Sequence, residues 1–395
     1  MNSESVAPTI GKPILRCDPA HCGAGANRPG RVPVNDSSSN PLPTASFAHS
    51  RLAALRRLLP AAPARLNLAL QGGGAHGAFT WGVLDALLED PRVEFEGISG
   101  SSAGAMNAVV FADGWMKGGR DGARRALADF WGVIGKGVPW LFLIQGVGEG
   151  IGLSPATRML MSWASHFSPA QLNPLDLNPL RDALSHQIDF ERLRVASPFK
   201  LFVAATRANT GRLRIFREHE LQVEMVLASA CLPKVHRAVE IDGEPYWDGG
   251  YSANPAVFPL FYDCDARDIL LVLLSPLEWE STPQSAHEID ERILELAFSA
   301  HFMREMRTLS EAMAYARAGF GGFGRLERRL KKLRFHMIDS SRIASLQRTE
   351  TKMLAYGPFL ELLRDQGRER AQALLDRHGD AFGRHSTLNL RRWFG

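Results

Sequence analysis

Two glycine-rich turns, each set between an apolar strand and an apolar helix, constrain the fold of this chain more than anything else in it. Leu66, Leu68 and Leu70 alternate with Asn67 and Ala69 and run straight into Gln71-Gly72-Gly73-Gly74-Ala75-His76-Gly77. Phe79, Val83 and Leu87, with Trp81, Leu84 and Leu88, then form the stripe of an amphipathic helix that ends near Asp90-Pro91. A second strand leads into Glu96-Gly97-Ile98-Ser99-Gly100-Ser101-Ser102-Ala103-Gly104, and the apolar stretch from Gly104 to Val110 begins another helix. Strand, glycine loop, helix, strand, serine turn and helix make the βαβ pattern of a parallel α/β sheet.

The serine turn selects one serine. A nucleophile carried on a sharp strand-to-helix turn needs small residues two before and two after it, because side chains there collide with the adjoining strand and helix. Gly100 and Gly104 satisfy this for Ser102, whereas neither Ser99 nor Ser101 has glycine at both flanking positions. The helix that follows offers free N-terminal amides, which favour negative charge developing at the serine. The glycine loop Gly72, Gly74, Gly77 is also a G-x-G-x-x-G, the pattern that binds dinucleotides. A dinucleotide site needs a ribose-binding acid at the end of the next strand, but here Glu94 and Glu96 lead directly into the serine turn. The loop is therefore read as an oxyanion hole, and His76 as a loop residue turned away from the serine.

Ser102 needs a base. His287, His301 and His336 follow in the chain, but none stands in a glycine-rich turn. Val239 to Trp247 contains an Asp-Gly hairpin turn whose second arm ends at Asp248-Gly249-Gly250. That places a carboxylate at a strand end with two glycines that permit close backbone approach, so Asp248 is the candidate base. An aspartate of ordinary pKa, about 4, takes a serine proton only if transfer is concerted with attack and the oxyanion is stabilised at once. Alone, Asp-Gly-Gly would be a plain turn.

These three elements in this order resemble the signatures of the patatin-like phospholipase family: oxyanion loop, nucleophile elbow and Asp-Gly-Gly. Ala228-Ser229-Ala230-Cys231-Leu232-Pro233 resembles the Ala-Ser-x-x-x-Pro segment that precedes the third signature, and the likeness to bacterial members extends to Phe359–Arg368. The resemblance implies a three-layer α/β/α sandwich with a mostly parallel sheet over residues 65–275. It implies a Ser102–Asp248 dyad, an oxyanion hole built from Gly72, Gly73, Gly74, Ala75 and Gly77 with the amides of Gly73, Gly74 and Ala75 as donors, and supporting glycines at Gly100, Gly104, Gly249 and Gly250. The implied reaction is hydrolysis of lipid acyl esters through an acyl-enzyme, with no cofactor and no metal. The same intermediate could pass its acyl group to another acceptor, and a silent lipid-binding protein is the rival from a different class.

The remaining chain sets the expected organisation. Residues 1–64 are rich in Pro, Ser, Asn and Gly and read as a flexible tail, broken by a short basic helix from Arg51 to Leu59. From Trp115 to about Pro179 the pattern loosens, with the aromatic run Val138–Ile144, and a lid or acyl pocket competes with ordinary packing over 115–180. Further elements are helices over Arg181–Arg194 and Leu221–Ala230, strand Leu201–Ala205 and buried strand Asp268–Ser275. Residues 276–395 read as a mainly helical extension, with helices over Ala286–Ala318 and Glu350–Arg377 and a last strand at Leu333–Ile338. With 46 basic against 42 acidic residues the net charge of +4 does not indicate nucleic acid. Four scattered cysteines, Cys17 and Cys22 among them, make no disulfide framework. No apolar run reaches transmembrane length, and the N-terminus lacks the pattern of a secretory signal, so a cytoplasmic enzyme is expected. Arg325, Arg328, Arg329, Lys331, Lys332 and Arg334 interleave with Leu326, Leu330 and Leu333. This stretch is either a peripheral contact for an anionic membrane or a solvated helix with one face in the core.

Overall fold

A computed structural model describes residues 63–136, 144–146, 150–164, 166–279, 282–319, 324–341 and 343–395. The expected tail apart from its last two residues, the Arg51–Leu59 helix, Cys17, Cys22 and residues 138–143 of the aromatic run lie outside the described residues.

Ten strands follow in chain order: β1 (Ala64–Leu70), β2 (Val93–Ser101), β3 (Ile144–Gln145), β4 (Gly152–Leu153), β5 (Lys200–Arg207), β6 (Leu213–Arg217), β7 (Val239–Ile241), β8 (Glu244–Asp248), β9 (Asp268–Val272) and β10 (Arg334–Ile338). Eight of them build one sheet in the order β10-β9-β1-β2-β5-β8-β7, with β6 also on β5, while β3 and β4 pair separately. β10, β9, β1, β2 and β5 are mutually parallel, and β6, β7 and β8 run antiparallel to their neighbours. Strands covered on both faces should be apolar throughout. Accordingly, Leu66, Leu68, Leu70, Leu270 and Val272 enter one core, and Ala69, Ile269, Leu271 and Leu273 enter the other. Helices α1 (Gly77–Glu89), α2 (Ala103–Ile134) and α5 (Gly357–His378) bury Phe79, Phe111, Phe130, Phe359 and Leu363 in the first core. Helices α3 (Ala286–Ala318) and α4 (Arg325–Lys332) bury Phe302, Met306, Met313 and Leu330 in the second. The fold is the expected three-layer α/β/α sandwich.

Within this frame several elements differ from expectation. The residues after 275 join the same sheet and core: β10 pairs in parallel with β9, and α5 packs closely on α1. A Cβ on Gly82 would overlap the Arg364 carbonyl, and one on Gly367 the Phe79 carbonyl, so glycines on both helices permit the contact. The loosened pattern after Trp115 is instead the continuation of α2, kinked at Gly118 and Gly119, with Ala123, Leu127, Phe130 and Trp131 buried. The adjacent glycines at the kink obscure a helical period that resumes beyond it and runs to Ile134. Asn107 secures this helix to α1: its amide donates to the Gly77 carbonyl at 3.0 Å and its oxygen accepts from Trp131 Nε1 at 3.0 Å. Arg181–Arg194 is two helices, because Asp189 caps a second one by accepting from the Arg192 amide at 2.9 Å. Strand β6 was not expected, and α5 begins at Gly357 rather than Glu350, leaving Thr349–Met353 as a separate 3-10 turn. Asp242 and Gly243 both have positive φ, 52° and 79°, in the expected hairpin between β7 and β8.

Candidate active site

Ser102 leaves β2 with φ 53° and ψ −123°, a conformation rarely taken by a side-chain-bearing residue. The turn is tight for a visible reason. A Cβ on Gly100 would overlap the Gly104 backbone and one on Gly104 the Leu70 carbonyl, so both flanking positions exclude any side chain. The Ser102 amide donates to the Ser229 hydroxyl at 2.9 Å, and the Ser101 hydroxyl donates to the Ala253 carbonyl at 2.5 Å.

Asp248 reaches the same place along the edge of β5. Ser101 of β2 lies opposite Ala204, and Asp248 of β8 lies opposite Ala205. Strand β6 occupies the other edge of the same residues, so β2 and β8 meet end to end on one edge. Asp248 is 1% exposed, whereas Ser102 is partly open to solvent. Its Oδ1 accepts from the Gly250 amide at 2.7 Å, and its buried Oδ2 has no partner of good geometry among the described residues. Burial pushes the carboxyl up to about 7, with the Gly250 amide and the Ser102 hydroxyl pulling weakly the other way. Gly249 and Gly250 allow this: a Cβ on the first would overlap the Ala204 carbonyl and one on the second the Phe298 ring.

The glycine loop closes the constellation from the side of β1. A Cβ on Gly72 would stand 2.8 Å from the Ser102 Cβ, so the loop touches the elbow where it lacks side chains. The amides of its five candidate oxyanion-hole residues separate into two groups. The Gly72 amide is held by Asn254 Oδ1 at 2.7 Å, and the Gly77 amide turns back to the Ala75 and Gly74 carbonyls. Those two amides are occupied within the protein and have nothing to give an oxyanion, so Gly72 and Gly77 shape the loop. The amides of Gly73, Gly74 and Ala75 meet no acceptor among the described residues.

A glycine loop, a serine elbow and a buried carboxyl, in that chain order, thus come together at the ends of β1, β2 and β8. The patatin-like phospholipase family model matches residues 68–261, a span that contains all three. Residues 68–261 are a patatin-like phospholipase domain. The patatin-like enzyme is, in the broad sense, a lipid acyl hydrolase. Among curated proteins none matches it. Among solved structures it is similar to VipD from Legionella pneumophila, at 17% identity over 81% of this chain and 67% of that one, TM-score 0.37. It is also similar to the ExoU–SpcU complex from the type III secretion system of Pseudomonas aeruginosa, at 16% identity over 80% of this chain, TM-score 0.30. The aligned region spans about half, 52%, of that second chain.

Two polar side chains of the patatin-like domain were not singled out by sequence. Besides holding Gly72, Asn254 places its carbonyl 3.5 Å from Gln71 Nε2, and Gln71 Oε1 accepts from the Leu274 and Ser275 amides at 2.6 and 3.0 Å. Together they tie the glycine loop both to the loop after Asp248 and to the end of β9. Neither sits in a recognisable pattern; their position beside motif residues is the one signal that could have found them. Ser229, by contrast, lies in the Ala-Ser-x-x-x-Pro segment, and its bond to the elbow gives that serine a structural part. Of the histidines, His76 is fully buried and points to Thr351, its Nε2 2.7 Å from the hydroxyl. Burial first, then the nearby Lys352 ammonium, holds it well below the ordinary imidazole range. His336, buried on β10, bonds to Asp268 at 3.0 Å and Thr387 at 2.9 Å. Glu96 accepts from the Asp265 and Ala266 amides at 2.7 Å each, a structural use that leaves it no free ribose-binding role. In the basic stretch, Leu330 and Leu333 are buried and Leu326 is 46% exposed, so the leucine stripe serves mainly the core. Among the described residues no helix is long and apolar enough to cross a membrane.

Proposed function

We propose that the protein hydrolyses lipid acyl esters through Ser102 and Asp248. The observation that carries this reading is the buried Asp248 carboxyl, with no partner of good geometry on one oxygen among the described residues, at the strand end that abuts the Ser102 elbow.

Ser102 Oγ attacks the ester carbonyl carbon while its proton passes to Asp248 Oδ2. A base titrating near 7 shares far more of the proton than an ordinary aspartate would, which narrows the gap that makes a carboxylate a poor partner for serine. The carbonyl oxygen becomes an oxyanion and takes hydrogen bonds from the amides of Gly73, Gly74 and Ala75, the donors with no competing acceptor. Collapse of the intermediate expels the alcohol portion of the lipid, which takes the proton from Asp248 and leaves the acyl group on Ser102. Water then repeats the sequence, giving its proton to Asp248 and releasing the fatty acid. The hydroxyl of Ser229, by fixing the Ser102 amide, keeps the strained elbow in its attacking conformation.

Two features bear on how lipid is met. The helix Pro155–Ala164 turns Met159, Leu160 and Trp163 to solvent, and the lid reading narrows to this part of residues 115–180. Contact of α4 with an anionic surface would rest on its cations, since its leucines are mostly buried.

The test is intact-mass analysis after treatment with a fluorophosphonate, on the wild type and Ser102→Ala. One adduct that disappears in a folded Ser102→Ala protein is expected, together with loss of ester hydrolysis. Hydrolysis retained by Ser102→Ala would refute the assignment, and an unlabelled, folded wild type would favour a silent lipid-binding protein. Products formed with an added alcohol acceptor distinguish acyl transfer from hydrolysis.

A further inference from the structure

The 3-10 turn Thr349–Met353 lies against the glycine loop although some 275 residues separate the two. Thr351 is fully buried, and its hydroxyl faces two carbonyl acceptors, Arg348 at 2.7 Å and Ser345 at 3.3 Å, donating to the nearer. A hydroxyl has a single proton, so toward His76, 2.7 Å away, it acts as acceptor. This fixes the neutral imidazole with its proton on Nε2, while Nδ1 is buried without a partner among the described residues. The next residue closes the contact from the other side, because the Lys352 carbonyl fills the space that a Cβ on Gly74, at φ 58°, would need. The turn is itself anchored. Lys352 Nζ reaches Ser275 Oγ and Glu295 Oε1 at 3.3 Å each, and the Thr349 hydroxyl donates to the same Glu295 oxygen at 3.0 Å.

A loop with three glycines in four positions has little conformational restraint of its own. Oxyanion donors must nevertheless be held to within ~0.5 Å of their working positions. His76 ends the 3-10 turn that carries Gly74 and Ala75, so anchoring its ring anchors their amides. We propose that Thr351 is a positioning residue for the glycine loop, acting through His76 to aim the amides of Gly73, Gly74 and Ala75. The proposal rests on the Ser102–Asp248 reading given above.

Thr351→Val removes the hydroxyl at nearly constant volume and strands the His76 N–H, whereas Thr351→Ser keeps the hydroxyl. Misdirected donors weaken transition-state binding more than substrate binding. For Thr351→Val, kcat on a soluble acyl ester and the fluorophosphonate labelling rate should therefore both fall about 10-fold or more, with KM within about 2-fold of wild type. Thr351→Ser should stay within about 3-fold of wild type in both. Hydrogen exchange supplies a readout independent of activity: the bonded amides of Gly72, His76 and Gly77 should exchange faster in Thr351→Val and not in Thr351→Ser. A folded Thr351→Val protein with unchanged kcat and unchanged exchange overturns the proposal, as does an equal loss in Thr351→Ser. If Thr351→Val does not fold, Thr351→Cys, a weaker hydrogen-bonding group of similar size, takes its place with the same expectations. If the wild type neither hydrolyses nor labels, the Ser102–Asp248 reading fails, and the exchange comparison alone then decides whether Thr351 holds the loop.

Discussion

Replacing Asp248 by asparagine should abolish hydrolysis and at the same time stabilise the protein, increasingly so as pH rises. The carboxyl titrates near 7 in the folded protein, raised from 3.8 chiefly by burial, so folding favours the protonated acid. Its contribution to stability is fully present below the unfolded pKa and is lost progressively as pH rises through the folded one. The difference of about 3 pKa units corresponds to roughly 4 kcal/mol once pH exceeds about 8. Asparagine does not ionise, and its oxygen can still accept from the Gly250 amide, so it escapes that cost. Urea unfolding of wild type and Asp248→Asn at about pH 4.5 and about pH 8.5 measures the effect. The advantage of Asp248→Asn should be about 1 kcal/mol at the lower pH and grow by about 3 kcal/mol at the higher one. An advantage that is the same at both would mean that Asp248 is not a raised, desolvated carboxyl, and the argument for it as a base matched to serine would fall with it.

Three further outcomes are expected. Hydrolysis of a soluble ester should rise with pH along a curve with apparent pKa about 7, because the base must be ionised; kcat/KM already at its plateau at about pH 5 would contradict this. Ser102→Gly should unfold at higher urea than Ser102→Ala, by about 1 kcal/mol, because glycine accepts φ 53° without strain while alanine does not; equal midpoints would show that the elbow stores no strain. Wild-type protein should co-sediment with anionic vesicles at low salt and be released at about 0.5 M salt if α4 binds through its cations; salt-resistant binding would place the contact on the exposed apolar side chains of Pro155–Ala164 instead.

Much of this was legible from residues alone because the site is built from backbone geometry that only certain residues permit. Gly100, Gly104, Gly249 and Gly72 announce themselves, since each stands where a Cβ would strike another part of the chain. The parallel core strands were equally plain, being apolar on both faces. What escaped was of two kinds. Asn254 and Gln71 act through side-chain hydrogen bonds between segments 182 to 204 residues apart, a relation with no local periodicity to betray it. The helical stretch beyond Trp115 looked irregular because Gly118 and Gly119 interrupt a period that in fact continues. Strand β6 was missed because four of its five residues are only partly buried and two are arginines, so its pattern resembles a surface loop. The strand at Leu333–Ile338 was legible, but not its place beside β9, where Asp268 holds both Arg334 and His336 across 66 and 68 positions of sequence.

The edge of β5 has a consequence for how such a protein can vary. Ser102 and Asp248 are separated by 146 positions in sequence, yet Ser101, the residue before the serine, pairs with Ala204 and Asp248 pairs with the next residue, Ala205. β5 works as a ruler: whatever lies between the serine turn and β5, or between β6 and the hairpin, can lengthen, shorten or be exchanged without altering the spacing of the pair. Freedom to remodel the surroundings of the site, and with them its choice of lipid, is therefore concentrated in segments that the alignment of the two reacting groups does not depend on.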